Sequence, residues 1–146
     1  MRQILRETTI REHPDSYAIV YIDPSEAYEA KAILSEATPV ISLTITREEV
    51  SVVLRVSDWE SKRRRFVSYK VAAPYRLITF DIVLDLSIVG FLSAVSAALA
   101  SEGVSIYALS TYLKDHILVK EEDARKAVFV LENMIAEAKY APLKNG

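Results

Sequence analysis

The sequence has no cysteine, only three glycines, two histidines and one tryptophan. Without cysteine there is no disulfide frame, no thiolate metal site and no cysteine nucleophile. His13 and His116 alone remain for metal or general-base chemistry, so the side chains that most often run enzymes are scarce. An excess of one charge is also lacking. Eighteen basic residues stand against twenty acidic ones, a net charge of −2, which removes the electropositive surface of a dedicated nucleic-acid binder. Amides are nearly missing, with Gln3, Asn133 and Asn145 alone, a depletion known in hyperthermophile proteins. No apolar run reaches the roughly 20 residues of a membrane-crossing helix. The most apolar stretch, Ile88 to Ala100, is interrupted by serines and reads as a buried helix. Met1 to Glu7 lacks the apolar core of a secretory signal, so the expected location is the cytoplasm, away from membranes.

What is present is a globular balance, 51% hydrophobic and 26% charged over 146 residues, enough for one ordinary domain or two very small ones. Tyr17 to Ile22 is a β-branched and aromatic run that reads as a strand. Asp23 then serves as N-cap, with Pro24 at the first helical position, and Ala27, Ala30, Leu34 and Ala37 repeat at helical spacing. Val40 to Thr46 and Val50 to Val56 read as two strands, with Val53 interrupting the alternation of the second. Ser57 to Arg65, carrying Lys62-Arg63-Arg64-Arg65, reads as an exposed connection whose charges are solvated. Phe66 to Val71 and Tyr75 to Leu84 are expected as separate strands divided by Pro74.

A helix is expected from about Ile88 to Glu102, closed by Gly103 in a left-handed C′ position. Gly90 falls in its first turn, where glycine costs about 1 kcal/mol relative to alanine. Close approach by another backbone or a ligand would explain it. Val104 to Tyr112 and His116 to Lys120 form a hairpin. The last helix opens on Glu121, Glu122 and Asp123 and carries the stripe Ala124, Ala127, Val128, Leu131, Met134, Ile135 and Ala138. Ala141 to Gly146 is expected to fray.

The two halves repeat. Asp23-Pro24-Ser25 and Asp85-Leu86-Ser87 each sit between a strand and a helix, and each helix precedes a hairpin. A strand-helix-strand-strand unit thus occurs twice, with a second helix closing only the later copy. This is an α+β arrangement, two βαββ-type units with antiparallel sheets and helices on one face. The units divide at 1–73 and 74–146.

The run Asp85-Leu86-Ser87-Ile88-Val89-Gly90-Phe91-Leu92, then Gly103-Val104-Ser105-Ile106-Tyr107-Ala108-Leu109-Ser110-Thr111-Tyr112, then Asp115-His116-Ile117-Leu118-Val119, resembles an ACT domain. More narrowly, it is similar to the small tandem-ACT proteins related to the CASTOR arginine sensors. The first half matches more loosely, through Ile41 to Thr46 and Glu49 to Val53. His116 stands where relatives often have an aromatic, and Trp59 to Ala73 is longer than the usual connection.

The resemblance implies a ferredoxin-like ACT fold that binds small ligands, usually amino acids, at interfaces between units. It places ligand contacts on the loop Asp85, Leu86, Ser87, Ile88, Val89 and Gly90, and on the facing strand Ser110, Thr111 and Tyr112. The residues themselves leave two readings open: Asp85 and Ser87 are either helix caps or ligand contacts, and Gly90 serves either packing or ligand approach. Asp115 belongs to a hairpin turn, and His116 reads as a strand or surface histidine with no second histidine near it, against metal binding. The expectation is a non-catalytic amino-acid sensor, without cofactor or metal, assembled as a homodimer through unpaired strand edges and acting on a separate protein target. The alternative is a constitutive oligomerisation or scaffold module with no ligand.

Overall fold

The computed structural model describes residues 1–36, 39 and 41–140. In chain order the elements are α1 (Arg2–Glu7), β1 (Ile10–Glu12), β2 (Tyr17–Ile22), α2 (Ala27–Leu34), β3 (Ser42–Ile45), β4 (Val50–Arg55), α3 (Val56–Lys62), β5 (Tyr69–Phe80), α4 (Phe91–Ser101), β6 (Tyr107–Ser110), β7 (Asp115–Lys120) and α5 (Ala124–Tyr140). Short 3₁₀ turns at Pro24–Glu26, Arg63–Arg65 and Glu121–Asp123 adjoin the helices. Ala37 and Val40, expected as a helix end and a strand start, and the tail Ala141 to Gly146 lie outside the described residues. Among the described residues no helix is long and apolar enough to cross a membrane.

Two compact units emerge, one spanning Asp15–Tyr75 and one combining Met1–Pro14 with Arg76–Gly146. The division therefore falls at 75/76 where 73/74 was expected, and the first residues of the chain belong with its second half. Neither α1 nor β1 was anticipated. Ile10 is the only strongly apolar residue of a three-residue strand, too little to register as a pattern.

In the unit Asp15–Tyr75 the strand order is β3-β4-β2-β5. The β2–β4 ladder is antiparallel and sets Ala18 opposite Leu54, Val20 opposite Val52 and Ile22 opposite Val50, all six fully buried. Alternation thus directs one face of both strands into a core completed by Ala30, Ile33 and Leu34 of α2 and by Trp59 and Phe66. Val53, which interrupts the alternation, is itself buried.

Ser57 to Arg65 is not a bare connection: α3 and a 3₁₀ turn occupy it. Its anchor is Trp59, stacked on Phe66 at 5.8 Å and edge-on to Tyr69 at 5.1 Å between ring centroids. One large apolar residue among polar neighbours supports this helix, which explains why no periodic signal announced it. It also means that both copies of the repeat, not only the later one, carry a second helix. The basic run is largely paired, Lys62 with Glu36 at 3.6 Å, Arg65 with Glu36 at 3.5 Å and Arg63 with Glu60 at 2.9 Å.

Pro74 does not divide two strands. It lies within the single strand β5, where Tyr17 faces Tyr75 but Ile19 faces Ala72, so the register slips by one residue beside the proline. A residue without an N–H is tolerated where the ladder already skips a bond. The strand ends at Phe80, earlier than the expected Leu84.

In the second unit β6 pairs antiparallel with β7, β7 neighbours β5, and β1 pairs antiparallel with β5, Ile10 opposite Phe80 and Glu12 opposite Ile78. The order β6-β7-β5-β1 repeats the relation β3-β4-β2-β5, with one difference: the outer strand comes first in the chain instead of last. Phe91, Val95 and Leu99 of α4 and Ala124, Ala127 and Leu131 of α5 close the core over Ile78, Phe80, Ile117 and Val119. Phe80 and Phe91 meet edge to face at 5.3 Å. Gly103 has φ +72, and the Val104 N–H returns to Leu99 O at 3.0 Å, the left-handed closure expected of α4. Both units have an α+β, ferredoxin-like arrangement.

Candidate functional site

The second unit contains a cavity of about 260 Å³ at the mouth of α4. Two loops shape it. One leads from β5 into α4, the other turns from β6 into β7, and the Leu84 N–H fastens them by donating to Leu113 O at 2.8 Å. The cavity is lined by Asp85, Leu86, Ile88 and Gly90 from the first loop, by Ser110 at the end of β6 and by Thr111 from the second loop. Those six were singled out from the sequence. Ser87, Val89 and Tyr112 are not in the lining; Val89 and Tyr112 point into solvent at 88% and 77% exposure.

Asp85 shapes its own loop. Its Oδ1 accepts from the Ser87 N–H at 2.8 Å and from the Ser87 hydroxyl, and its carbonyl accepts from the Ile88 N–H at 3.0 Å. The two bonds from Ser87 hold the carboxyl below the usual aspartate range, the hydroxyl contributing most and the amide next. The other unit repeats the device, since Asp23 Oδ1 accepts from the Ser25 N–H at 2.9 Å and its hydroxyl at 2.6 Å. Ser87 is thus a loop-forming partner of Asp85.

Gly90 has a backbone reason after all. Helix α4 starts at Phe91, not Ile88, and Gly90 is its N-cap with φ +95, a left-handed conformation that side chains resist. Space is not the constraint, because a Cβ there would meet only Met1 Cε at 3.6 Å. Glycine supplies no capping oxygen, so the first amides of α4 receive no bond from an N-cap side chain. Phe91, Leu92 and Ser93, the first three helical residues, line the cavity. Helix starts of this kind favour anions through their free N–H groups and dipole.

Opposite character comes from Asp85 and Asp115, with the hydroxyls of Ser110 and Thr111 beside them. Lys114 also lines the cavity, but its Nζ is held 2.9 Å from Asp81 Oδ1. Asp81 accepts from Arg11 as well, Nε to Oδ2 at 3.2 Å, and these cations keep its carboxyl below the usual range, Lys114 foremost. Sequence reasoning passed over Leu84, Phe91 to Ser93, Lys114 and Asp115 as lining. Of these, Phe91, Leu92 and Asp115 belong to the motif without having been assigned a contact.

Behind Thr111 lies a polar cluster that corrects the reading of His116 as lacking a neighbouring histidine. Thr79 is 1% exposed, and its Oγ1 lies 2.8 Å from His13 Nε2 and 2.8 Å from His116 Nδ1. His116 Nε2 is 3.3 Å from Thr111 Oγ1. Burial, then the charge of His13, pushes the His116 imidazole below its ordinary range, while Asp115 opposes the shift.

Residues 71–133 match the family model for the ACT domain, which spans the greater part of β5 through most of α5 and leaves out β1. No curated protein matches the chain in sequence. Solved structures share the fold over most of its length. A Vibrio cholerae protein of unknown function, described as a possible transport protein, is 19% identical with a TM-score of 0.73, covering 92% of this chain and 94% of that one. Agrobacterium tumefaciens protein Atu0741 is 24% identical with a TM-score of 0.69, covering 87% and 88%. The regulatory subunit of aspartate kinase from Thermus flavus is 14% identical with a TM-score of 0.62, covering 86% and 95%. The chain therefore has the ACT fold, and its residues 71–133 match the ACT-domain family.

Proposed function

We propose that the chain is a non-catalytic regulatory protein that binds an amino acid in the cavity at the mouth of α4. The observation that carries this reading is the opposed chemistry of one small space. Uncapped amides of Phe91 to Ser93 suit a carboxylate, and Asp85 and Asp115 with the Ser110 hydroxyl suit an ammonium. A zwitterion satisfies both once it leaves water. Charge-assisted hydrogen bonds contribute about 1.5–3 kcal/mol each, so two or three of them with burial against Leu84 and Phe91 support binding near −8 kcal/mol, about micromolar.

Leu86, Val89, Tyr112 and Leu113 belong to the two loops that form the mouth and are 72%, 88%, 77% and 53% exposed. Apolar side chains so uncovered beside a cavity support a homodimer in which a second copy covers the ligand. Regulation then means that ligand favours one packing of the copies, read out by a separate protein target in the cytoplasm. The likeness to a regulatory subunit supports the regulatory part of this reading, and the resemblance to CASTOR-type tandem-ACT sensors supports the amino-acid part. The same apolar rim favours the second reading, a constitutive assembly module with no ligand.

A thermal-shift panel of the twenty amino acids separates the two. A ligand at one hundred times its Kd adds about 2.7 kcal/mol and raises Tm visibly. Asp115→Asn and Asp85→Asn are expected to weaken the shift while leaving the unliganded Tm nearly unchanged. No shift with any amino acid, together with a stable oligomer, establishes the assembly module instead.

A further inference from the structure

The polar cluster behind the cavity has a direction that its hydrogen bonds determine. Thr111 Oγ1 lies 2.9 Å from the Lys114 carbonyl, which can only accept, so the Thr111 hydroxyl hydrogen is committed there. Thr111 Oγ1 can then only accept from His116 Nε2, which must carry a hydrogen. In a neutral imidazole this leaves Nδ1 bare, and the Thr79 hydroxyl donates to it. Thr79 Oγ1 in turn accepts from His13 Nε2–H. One chain of donors thus runs from His13 through Thr79 and His116 to the cavity wall at Thr111.

A proton added to His116 enters at Nδ1 and conflicts with the Thr79 hydroxyl, which must turn away and accept from both rings. It also places an imidazolium one hydrogen bond behind the wall. The charged groups acting on His116 are His13 and Arg11 on the N-terminal segment, Lys114 in the turn and Asp115 on β7, the cations opposing the added charge and Asp115 favouring it. A carboxylate arriving in the cavity would add to the side of Asp115.

We propose that the His13–Thr79–His116–Thr111 chain couples occupation of the cavity to protonation of His116, so that a carboxylate-bearing ligand binds more tightly as pH falls and brings a proton with it. This rests on the cavity being a ligand site, the reading given above. Thr79 and His116 act through Thr111 and are positioning residues.

The test is nuclear magnetic resonance on the full chain, with histidine rings and backbone amides labelled and acetate as the carboxylate probe. Without acetate, both rings are expected as the Nε2–H tautomer at neutral pH, and Thr79→Val is expected to shift the His116 titration. A His116 Nδ1–H tautomer, or a titration indifferent to Thr79→Val, overturns the chain. Should Thr79→Val fail to fold, His13→Gln serves, since its amide still donates to Thr79 but its titration is gone. With acetate at constant ionic strength, the amide shifts of Phe91 to Ser93 are expected to saturate about threefold or more sooner at pH 5.5 than at pH 7.5. His116→Gln is expected to abolish that difference. Equal binding at both pH values overturns the coupling and leaves the cavity as a site; no response of these amides at either pH overturns both.

Discussion

Lys114 Nζ lies 2.9 Å from Asp81 Oδ1, and this pair ties the turn between β6 and β7 to the residue that follows β5. Arg11 approaches the other oxygen of the same carboxylate, so one aspartate gathers β1, β5 and the turn that lines the cavity. Because Asp81 titrates below its ordinary range in the folded chain, its stabilisation is present above the unfolded pKa of 3.8 and is lost as pH falls through the lower folded value. Asp81→Asn is therefore expected to cost up to about 1 kcal/mol at pH 7, as a partly exposed pair does. The difference from the parent chain should close in denaturant titrations below pH 3.8.

Trp59 is 2% exposed and is the single tryptophan, so its emission reports the unit Asp15–Tyr75 alone. Native emission is expected to be blue-shifted relative to the unfolded chain. Trp59→Ala removes the anchor of α3 along with the contacts to Phe66 and Tyr69, and should cost about 3–5 kcal/mol. Far-ultraviolet circular dichroism under urea would measure it.

At Gly90 and Gly103 the backbone, not crowding, resists a side chain. Alanine at either position must adopt positive φ and should cost about 1–2 kcal/mol. Equal losses of Tm at the two sites are expected, since neither Cβ meets a neighbour closer than ordinary contact. A variant at Gly90 accordingly tests the fold before it tests ligand binding.

Deleting Met1–Pro14 strips β1 from Ile78–Phe80 and α1 from α5. Amide hydrogen exchange of β5 is expected to accelerate from Ile78 to Phe80, whereas Trp59 emission and the protection of β2 and β4 persist.

Much of this architecture could be read from residues that act locally. Tyr17 to Ile22, the ladder of Ala124, Ala127, Leu131 and Ile135, and the paired Asp-x-Ser loops all carry their information within a few positions. The failures share the opposite property. Helix α3 depends on Trp59 meeting Phe66 and Tyr69, β1 on a partner strand in the other half of the chain, and the continuity of β5 through Pro74 on a slipped register opposite Ile19. Asp85, Gly90 and Ser110, which line the cavity, could be singled out because they belong to one motif. Lys114 was not, because it joins the cavity only through the turn that Leu84 fastens. No spacing rule links His13 to His116, since Thr79 meets both only after β1 and β7 flank β5.

The permuted order of the outer strand fixes a schedule for biosynthesis. Asp15–Tyr75 is one uninterrupted stretch that holds β2, β3, β4 and the Tyr69–Tyr75 portion of β5 that pairs with β2, so it can fold as soon as it clears the ribosome. Ile10–Glu12 emerges earlier but has no berth until Ile78–Phe80 has been translated. Ile10–Glu12 must therefore wait, unpaired, while the whole of the intervening unit is made, and the later unit receives its outer strand from residues synthesised before that unit.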